Sequence, residues 1–497
     1  MENLNQLLAV RRDKLKKLID LGIEPYPIKS ERENKINELH INKDKYVEES
    51  KNVVVCGRLM ALRRQGKVGF GNIADDSGKM QIFVRKDTVG EENYEIFKLF
   101  DLGDFVQIKG ECFITQKGEY SIRAAEVKML TKTLRPLPVV KEKVVDGEKK
   151  RFDVFSDIET RFRKRYLDLI VNPDAMKNFE IRAKVIKEMR NYLDGQGFTE
   201  VETPILQPLY GGANARPFTT HHNTLDMTLY LRIALELYHK RLIIGGMERV
   251  FEISKTFRNE GMDRTHNPEF TMMELYQAYT DFIGMMELTE DMIIFISQKI
   301  FGSEKIVFGD KEISFEKPWR RAPMLELIKE ETGFDGSDFD VEKIRAFCKE
   351  KGMDIDEKAG PGKLIEEIFS VFVEPKLIQP TFVTEFPKEV SPLAKAKPGN
   401  PLLVERFELF INGNEYGNAF SELNDPIDQR NRLEAQAKLR EMGDDEANVV
   451  DEDFLEAMEY GMPPTGGLGI GIDRLVMLFT DNTSIKEVIF FPQMKPE

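Results

Sequence analysis

Cysteine is scarce. Cys56, Cys112 and Cys348 are the only ones in 497 residues. They are too few and too scattered for a disulfide framework, and they show no metal-ligand spacing, as expected of a reducing compartment. Histidine is nearly as rare: His40, His221, His222, His239 and His266 leave little for a histidine-rich metal centre. No apolar run approaches the ~18 residues that a membrane helix needs. The longest candidates, such as Met292–Ile296, are short and lie between Asp291 and Lys299. The start of the chain lacks the apolar core of a secretory signal, and Glu2 and Asp13 are unlike an acid-poor presequence. A cytoplasmic location without a membrane anchor is therefore expected. A basic excess is missing too, since 72 Lys and Arg face 86 Asp and Glu for a net charge of -14. Indiscriminate nucleic-acid binding is excluded on that balance, whereas a local basic patch for RNA is not.

What is present is ordinary for a globular chain. Hydrophobic residues are 41% and charged residues 32%, which excludes collagen-like, mucin-like and fully disordered chains. The length predicts two to four domains at roughly 150 residues each. Residues 1–50 read as a helical extension, with a basic amphipathic helix over 5–21 that ends at Gly22 and offers Leu7, Leu8, Leu15, Leu18 and Ile19 as an apolar face. Residues 51–135 alternate as strands near 53–60, 70–74, 79–85, 105–113 and 120–129, with a short helix at 94–99. That pattern predicts a small OB-type β-barrel, with an SH3-like barrel as the alternative. Residues 136–171 read as a linker and hinge, with a basic helix at 159–169 that suits either a solvated face or an RNA contact. Residues 172–497 mix helices with long antiparallel strands and carry a mostly helical insertion around 322–373, so the expected class is α+β.

Candidate chemistry gathers at several places in this last region. In 250–260, alternation puts Phe251, Ile253 and Phe257 on one sheet face and Glu252, Ser254, Thr256, Arg258 and Glu260 on the other. That polar face is either solvent-exposed or the lining of a site. In 270–276, Phe270, Met272, Glu274 and Tyr276 share a face, and an acid between an aromatic ring and a phenol suggests a lined pocket. An arginine such as Arg258 can grip a phosphate through parallel donors, and the loop at 261–268 adds Arg264 and His266. Farther on, Asn412-Gly413-Asn414 predicts a hairpin that brings Glu408 and Glu415 together. Such a pair suits Mg²⁺ with phosphates, or alternatively glycosidase acid–base work. Last comes Gly466-Gly-Leu-Gly469-Ile-Gly471-Ile-Asp473-Arg474, glycines that allow close backbone approach before an apolar helix. It is not a P-loop, because the Lys-Ser/Thr of that motif is missing.

Three of these segments, in this order, resemble the signatures of class II aminoacyl-tRNA synthetases: the helix from Ile181 running to Pro204, Phe257-Arg258-Asn-Glu260 through Phe270, and Gly469 to Arg474. More narrowly, the chain resembles the bacterial-type lysine-specific group over essentially its whole length. Leu231-Arg-Ile-Ala-Leu-Glu236-Leu, His266-Asn-Pro-Glu-Phe-Thr-Met-Met-Glu-Leu-Tyr276, Glu389-Val-Ser-Pro-Leu-Ala394 and Gly417-Asn-Ala-Phe-Ser-Glu-Leu-Asn424 carry that likeness.

The resemblance implies an ATP-dependent ligase that activates L-lysine and transfers it to tRNA(Lys), with Mg²⁺ as cofactor and a C2 homodimer as its state. A related aspartate or asparagine enzyme, or a silent tRNA-binding paralogue, is the alternative. By the same resemblance, Arg258, Glu260, His266 and Arg474 are catalytic. Asn267 and Phe270 join Arg258, His266 and Arg474 on ATP, and Glu408 and Glu415 hold the metal. Lysine is lined by Gly212, Ala234, Glu236, Glu274, Tyr276, Asn418 and Glu422, with Glu422 and Tyr276 at the side-chain ammonium. Phe70, Gln81 and Glu119 match anticodon-reading positions, and Arg58, Arg63, Arg64 and Lys67 are candidate phosphate contacts.

Overall fold

The computed structural model describes residues 2–138, 141–145, 148–152, 155, 157–441 and 446–496. The chain divides into two compact units, Met1–Asp157 and Ile158–Glu497.

The first unit is built on strands β1 (Asn52–Gln65), β2 (Val68–Ala74), β3 (Lys79–Arg85), β4 (Phe105–Ile114) and β5 (Tyr120–Thr131), closed into a barrel in the order β1-β2-β3-β5-β4. Strand β3 shows why it closes. Met80, Ile82 and Val84 alternate inward and are buried, while Lys79 and Arg85 face water. Their partners across the barrel include Val53, Val55, Val106, Ile108 and Ile122, all fully buried. The β3–β5 pairing is the parallel one, and the helix at Glu91–Lys98 fills the connection from β3 to β4.

Helix α1 (Glu2–Asp20) departs from the expected apolar face. Leu18 is buried, but Leu7 and Ile19 are exposed. Polar contacts dock it instead. Arg11 donates to the carbonyl of Leu102 at 2.9 Å and to Oγ1 of Thr133 at 2.7 Å, and Lys14 meets Asp101 at 2.5 Å. Beneath them Lys132, fully buried, bridges Asp101 at 2.6 Å and Asp104 at 2.7 Å. The stretch expected to be a linker and hinge carries a short hairpin, β6 (Lys141–Val145) with β7 (Glu148–Phe152), and part of it lies outside the described residues.

The second unit centres on an eight-stranded sheet. Its strands are β8 (Thr199–Glu200), β9 (Arg249–Phe257), β10 (Glu269–Ala278), β11 (Arg320–Pro323), β12 (Thr381–Thr384), β13 (Arg406–Ile411), β14 (Asn414–Ser421) and β15 (Thr465–Gly471). They lie in the order β11-β12-β13-β14-β15-β10-β9-β8, antiparallel except at the two outermost pairs. One face packs on helices. Phe251, Met273, Leu275, Leu409 and Ile470 meet Val185, Met189 and Leu193 of the helix at Pro173–Gly195 and Met292 and Ile293 of the helix at Phe282–Phe301. Each such apolar side chain contributes about 1.5–3 kcal/mol by leaving water. Val185, Met189 and Leu193 on the first of these helices are thus core packing.

The other face carries Glu252, Glu274 and Tyr276, and all are buried. The polar face read from the sequence is therefore an interior site and not a solvated surface. The helical insertion comprises Met324–Thr332, Val341–Glu350 and Pro361–Phe372, the last with proline in its first turn, where no N–H is missed. The basic helix expected at 159–169 is two helices, Ile158–Arg163 and Arg165–Val171. Its arginines are not an open RNA face: Arg165 is fully buried against Asp168 at 2.5 Å and the Phe490 carbonyl at 3.1 Å, and Arg161 reaches Asp168 at 2.7 Å.

Candidate active site

The site is built on β9, β10, β14 and β15 and on the helix α9 (Glu236–Ile244). Strand β15 runs between β10 and β14, and its glycines make room for the side chains beside it. A Cβ at Gly467 would lie 2.0 Å from Oε1 of Glu422 and 2.6 Å from Cε1 of Tyr276. Gly212, at φ +86°, is pressed the same way: a Cβ there would lie 3.1 Å from that of Glu236 and 3.2 Å from that of Ala234. Close approach, not turn formation, is what these glycines supply.

Glu236, Glu274, Glu422 and Tyr276 are thereby gathered and buried. The Leu235 N–H donates to Oε1 of Glu274 at 3.0 Å, and the Tyr276 hydroxyl donates to Oε2 at 3.2 Å. Burial raises the Glu274 carboxyl above its ordinary range, and burial beside three carboxylates raises the Tyr276 phenol well above its own. Among the described residues, neither carboxylate oxygen of Glu422 has a well-directed hydrogen bond. Asn418 lies on β14 with its Oδ1 accepting from Arg406 Nε at 3.0 Å. A residue that sequence reading missed stands in the middle. Lys240 Nζ is 2.5 Å from both Glu236 and Glu422. The four-residue spacing on one helix was the available signal.

A second cluster adjoins. Arg258 and Glu260 lie beyond the end of β9 at Phe257, past the alternation that predicted them on the strand face. The Arg258 N–H donates to the Pro268 carbonyl at 2.9 Å, and its guanidinium lies 5.2 Å from the Phe270 ring centre. Its only side-chain hydrogen bond among the described residues is a long one of 3.5 Å from Nε to the Ile233 carbonyl. Burial lowers its pKa, with Glu260, Glu415 and Glu274 opposing, but a guanidinium stays charged. A half-buried cation with so few partners calls for an anion. Glu260 itself is exposed. Both amide groups of Asn267 are engaged by the backbone, Nδ2 donating to the Glu269 carbonyl at 2.6 Å and Oδ1 accepting from the Gln493 N–H at 3.3 Å.

His266, Arg474 and Glu415 come together. Arg474 donates to the Glu415 carbonyl at 2.8 Å and lies 3.1 Å from His266 Nε2, while His266 Nδ1 lies 2.8 Å from Asp263. If Nε2 accepts from arginine, Nδ1 carries the proton toward Asp263. Backbone N–H groups and His266 hold Asp263 down at about 2 against the effect of burial. The Asn412-Gly413 turn forms as expected, with φ of 47° and 68°. A bulge pairs Glu408 with Asn418 and Phe410 with Glu415, yet Glu408, Glu415, His266 and Arg474 line one cavity of about 740 Å³ together with the insertion helices. Burial raises the Glu408 carboxyl; Arg406, which ion-pairs with it, opposes the rise, and Glu415 adds to it. Arg406 was missed, though its place two residues before Glu408 puts both on one strand face. Asp473 was missed as well. It binds Arg182 at 2.6 Å and the Thr271 N–H at 2.6 Å, tying the long helix to the sheet.

On the barrel, Phe70 is 39% exposed and its ring centre is 4.8 Å from that of Phe83, which is 6.0 Å from that of Phe113. Gln81 donates to Ser121 at 2.9 Å, and Glu119 is exposed in the β4–β5 turn. Sequence reading found Phe70 and missed the other two rings of this row. Arg58 and Arg64 each spend one guanidinium nitrogen on the barrel backbone, donating to the carbonyls of Gly103 at 3.0 Å and Phe97 at 2.9 Å. Arg63 and Lys67 are exposed.

Known proteins fit this arrangement. The family model described as tRNA synthetases class II (D, K and N) matches residues 157–495, and that of the OB-fold nucleic acid binding domain matches 53–130. A lysine–tRNA ligase of Halalkalibacterium halodurans is 51% identical over 99% of this chain and 97% of its own. Those of Bacillus subtilis, 50% identical over 99% and 98%, and Staphylococcus saprophyticus, 51% identical over 99% and 99%, are similar throughout. This chain belongs to the bacterial-type class II lysine–tRNA ligases. The acid cluster and the Arg258 cluster share one strand, since β10 carries Glu274 and Phe270 four residues apart on the same face.

Proposed function

We propose that the two clusters divide the work of an ATP-dependent lysine–tRNA ligase, the acids taking lysine and the arginines taking ATP. In the first step the lysine carboxylate attacks the α-phosphorus, the bond to the bridging oxygen breaks and pyrophosphate leaves. In the second, the terminal 3′-hydroxyl of tRNA(Lys) attacks the lysyl carbonyl and AMP leaves. Neither step needs an enzyme nucleophile, so positioning and charge neutralisation carry the rate.

Arg258 faces the α-phosphate and the lysine carboxylate. Its scarcity of partners supports that role. His266 and Arg474 reach the β and γ phosphates, and Phe270 stacks on adenine with Arg474 on the far side. Arg258 already covers one side of that ring, so adenine takes what the guanidinium leaves open. Asn267 shapes the loop that presents His266, and Glu260 meets adenine or the arriving tRNA end. Glu408 and Glu415 fit Mg²⁺: they are hard oxygen donors on one cavity, one of them nearly buried, and Mg²⁺ is commonly held by one or two carboxylates plus phosphates. When bound, the ion neutralises phosphate charge and eases departure of pyrophosphate.

Glu422 and Tyr276 receive the side-chain ammonium, and Glu236 and Glu274 the α-ammonium, over a floor of Gly212 and Ala234, with Asn418 beside them. Phe70, Gln81 and Glu119 read the anticodon on the barrel by stacking and edge contacts. A homodimer is the assembled state; the exposed Ile205, Leu206 and Leu209 just after the Ile181–Pro204 segment supply apolar surface for it. No helix among the described residues is long and apolar enough to cross a membrane, and we place the enzyme in the cytoplasm.

The observation that carries this reading is the buried set Glu236, Glu274 and Glu422 within one site with Arg258. Aspartate would bring a fourth side-chain carboxylate against that set, whereas lysine brings an ammonium. ATP–pyrophosphate exchange with lysine, aspartate, asparagine and arginine tests it. Lysine alone should support strong exchange; preference for aspartate would refute it.

A further inference from the structure

Lys240 stands apart from every residue assigned so far. It is fully buried, it projects from α9 into the amino-acid pocket, and its Nζ lies 2.5 Å from Glu236 and 2.5 Å from Glu422. Burial opposes its charge, but the two carboxylates outweigh burial and raise its pKa, so it remains an ammonium. Glu422, 1% exposed, still has no well-directed hydrogen bond among the described residues. Its second oxygen is aimed at the space beside Tyr276 and Gly467.

The remaining charges around the pocket are already matched. Glu252 on β9 accepts from Arg232 at 2.8 Å and from Thr203 Oγ1 at 2.7 Å, and His239 Nε2 lies 3.3 Å from it. Arg241, next on α9, points away to Asp451 at 2.9 Å and Asp453 at 2.8 Å. What faces Lys240 is therefore Glu236 and Glu422, with Glu274 and the Tyr276 phenol beyond them. Lysine has an ammonium at each end of its carbon chain, and its carboxylate is answered by Arg258.

We infer that Lys240 is a specificity-determining positioning residue, a fixed internal ammonium that neutralises one of the three buried carboxylates and leaves two to match lysine's two ammonium groups. The inference rests on the lysine reading of this pocket. Lys240 stays in place when lysine binds and opposes the rise of the Glu422 carboxyl, which burial pushes up to about 8. Without it, the neighbouring buried carboxylates would hold a proton more tightly still, because like charges in a dry site do not both ionise. Lysine binding would then have to expel that proton. The opposite view makes Lys240 a place-holder in the substrate ammonium's position, displaced on binding.

The pH profile of the lysine KM in ATP–pyrophosphate exchange separates the two. In Lys240→Met the KM for lysine should rise by about tenfold or more near neutrality, one factor of ten for each unit by which the retained proton's pKa exceeds the pH. That excess should shrink as pH rises toward about 9, where the proton is lost anyway. Any slope due to Glu274 is common to both enzymes, so the difference between the profiles is the readout, and the ATP KM should stay put. Lys240→Arg, which retains a cation, should follow the wild-type slope. A KM in Lys240→Met equal to or below the wild-type value overturns the inference in favour of a place-holder, as does a raised KM with unchanged pH dependence. Should the methionine variant not fold, calorimetry of lysine binding to the wild type, in buffers of different ionisation enthalpy near pH 7, decides: release of one proton or fewer supports the inference, and release of more than one overturns it. Wild-type enzyme that shows no lysine-dependent exchange would sink the lysine reading itself, whereas lysine-dependent exchange with an unshifted variant sinks only the role of Lys240.

Discussion

Single residues show where burial converts an ordinary side chain into a functional one. Arg258 lies between Phe270 and a weak 3.5 Å contact to a carbonyl, so most of its hydrogen-bonding capacity faces the site. Arg258→Ala should lower lysine-dependent exchange by about 10²–10³, as loss of a preorganised charge at a transition state does. Near-wild-type exchange in that variant would remove Arg258 from the α-phosphate. Alternation marked the face of Glu274 and Tyr276, and the glycine-rich approach to a helix marked Arg474, because both are local patterns; Arg258 and His266, beyond the end of β9, were named from their chemistry and the family resemblance. The sequence did not show Lys240, Arg406 or Asp263: the first two also take partners from other elements, Glu422 and Asn418, and the third depends on a loop's shape. The backbone carbonyls that Arg58 and Arg64 bind were invisible for the same reason.

Among elements, β15 is the one on which the pocket depends most. Its glycines leave the space that Glu422 and Tyr276 fill. Gly467→Ala would force a methyl into that space, at a cost of about 1–3 kcal/mol from overpacking. The lysine KM should rise with little change in the ATP KM, and equal rises in both would show a general loss of fold. In the first unit, α1 is held by a charge cluster. Lys132→Met would strand Asp104 and Asp101, both tied to it and largely buried, and should lower the unit's stability by about 3–5 kcal/mol in a melting experiment. The ion pairs of Asp101 with Lys132 and Lys14 outweigh burial and lower its pKa. Its contribution is thus full above the ordinary carboxylate range, near ~3.9, and is lost as pH falls through the lowered folded value. Acid unfolding of the wild-type unit should follow that sign, and Asp101→Asn should flatten the dependence. The elements themselves were legible: the five barrel strands fall within a few residues of their predicted bounds, because alternation and turns mark them. The basic helix at 159–169 was misjudged, since charge composition does not reveal that Arg165 points inward to Asp168.

At the level of the whole molecule, the barrel matched as a nucleic-acid-binding OB-fold and the region matched as a class II synthetase fall in separate compact units. The row Phe70, Phe83 and Phe113 on the barrel offers stacking surfaces that the sheet of the second unit lacks any need for. Phe70→Ala should weaken tRNA charging by about 1–3 kcal/mol, the worth of one stacked base, while exchange without tRNA stays near the wild-type rate. Equal loss in both assays would mean that the ring supports folding. The acidic balance of the chain fits this division, because the lysine pocket needs buried carboxylates and RNA needs only a local surface. A structure of the enzyme with lysine and a non-hydrolysable ATP analogue measures the central claim most directly. The side-chain ammonium should lie within hydrogen-bond distance of Glu422 and Tyr276, with the lysine carboxylate and α-phosphate at Arg258. Lysine bound away from Glu236, Glu274 and Glu422, or a nucleotide whose metal lies far from Glu408 and Glu415, would contradict it.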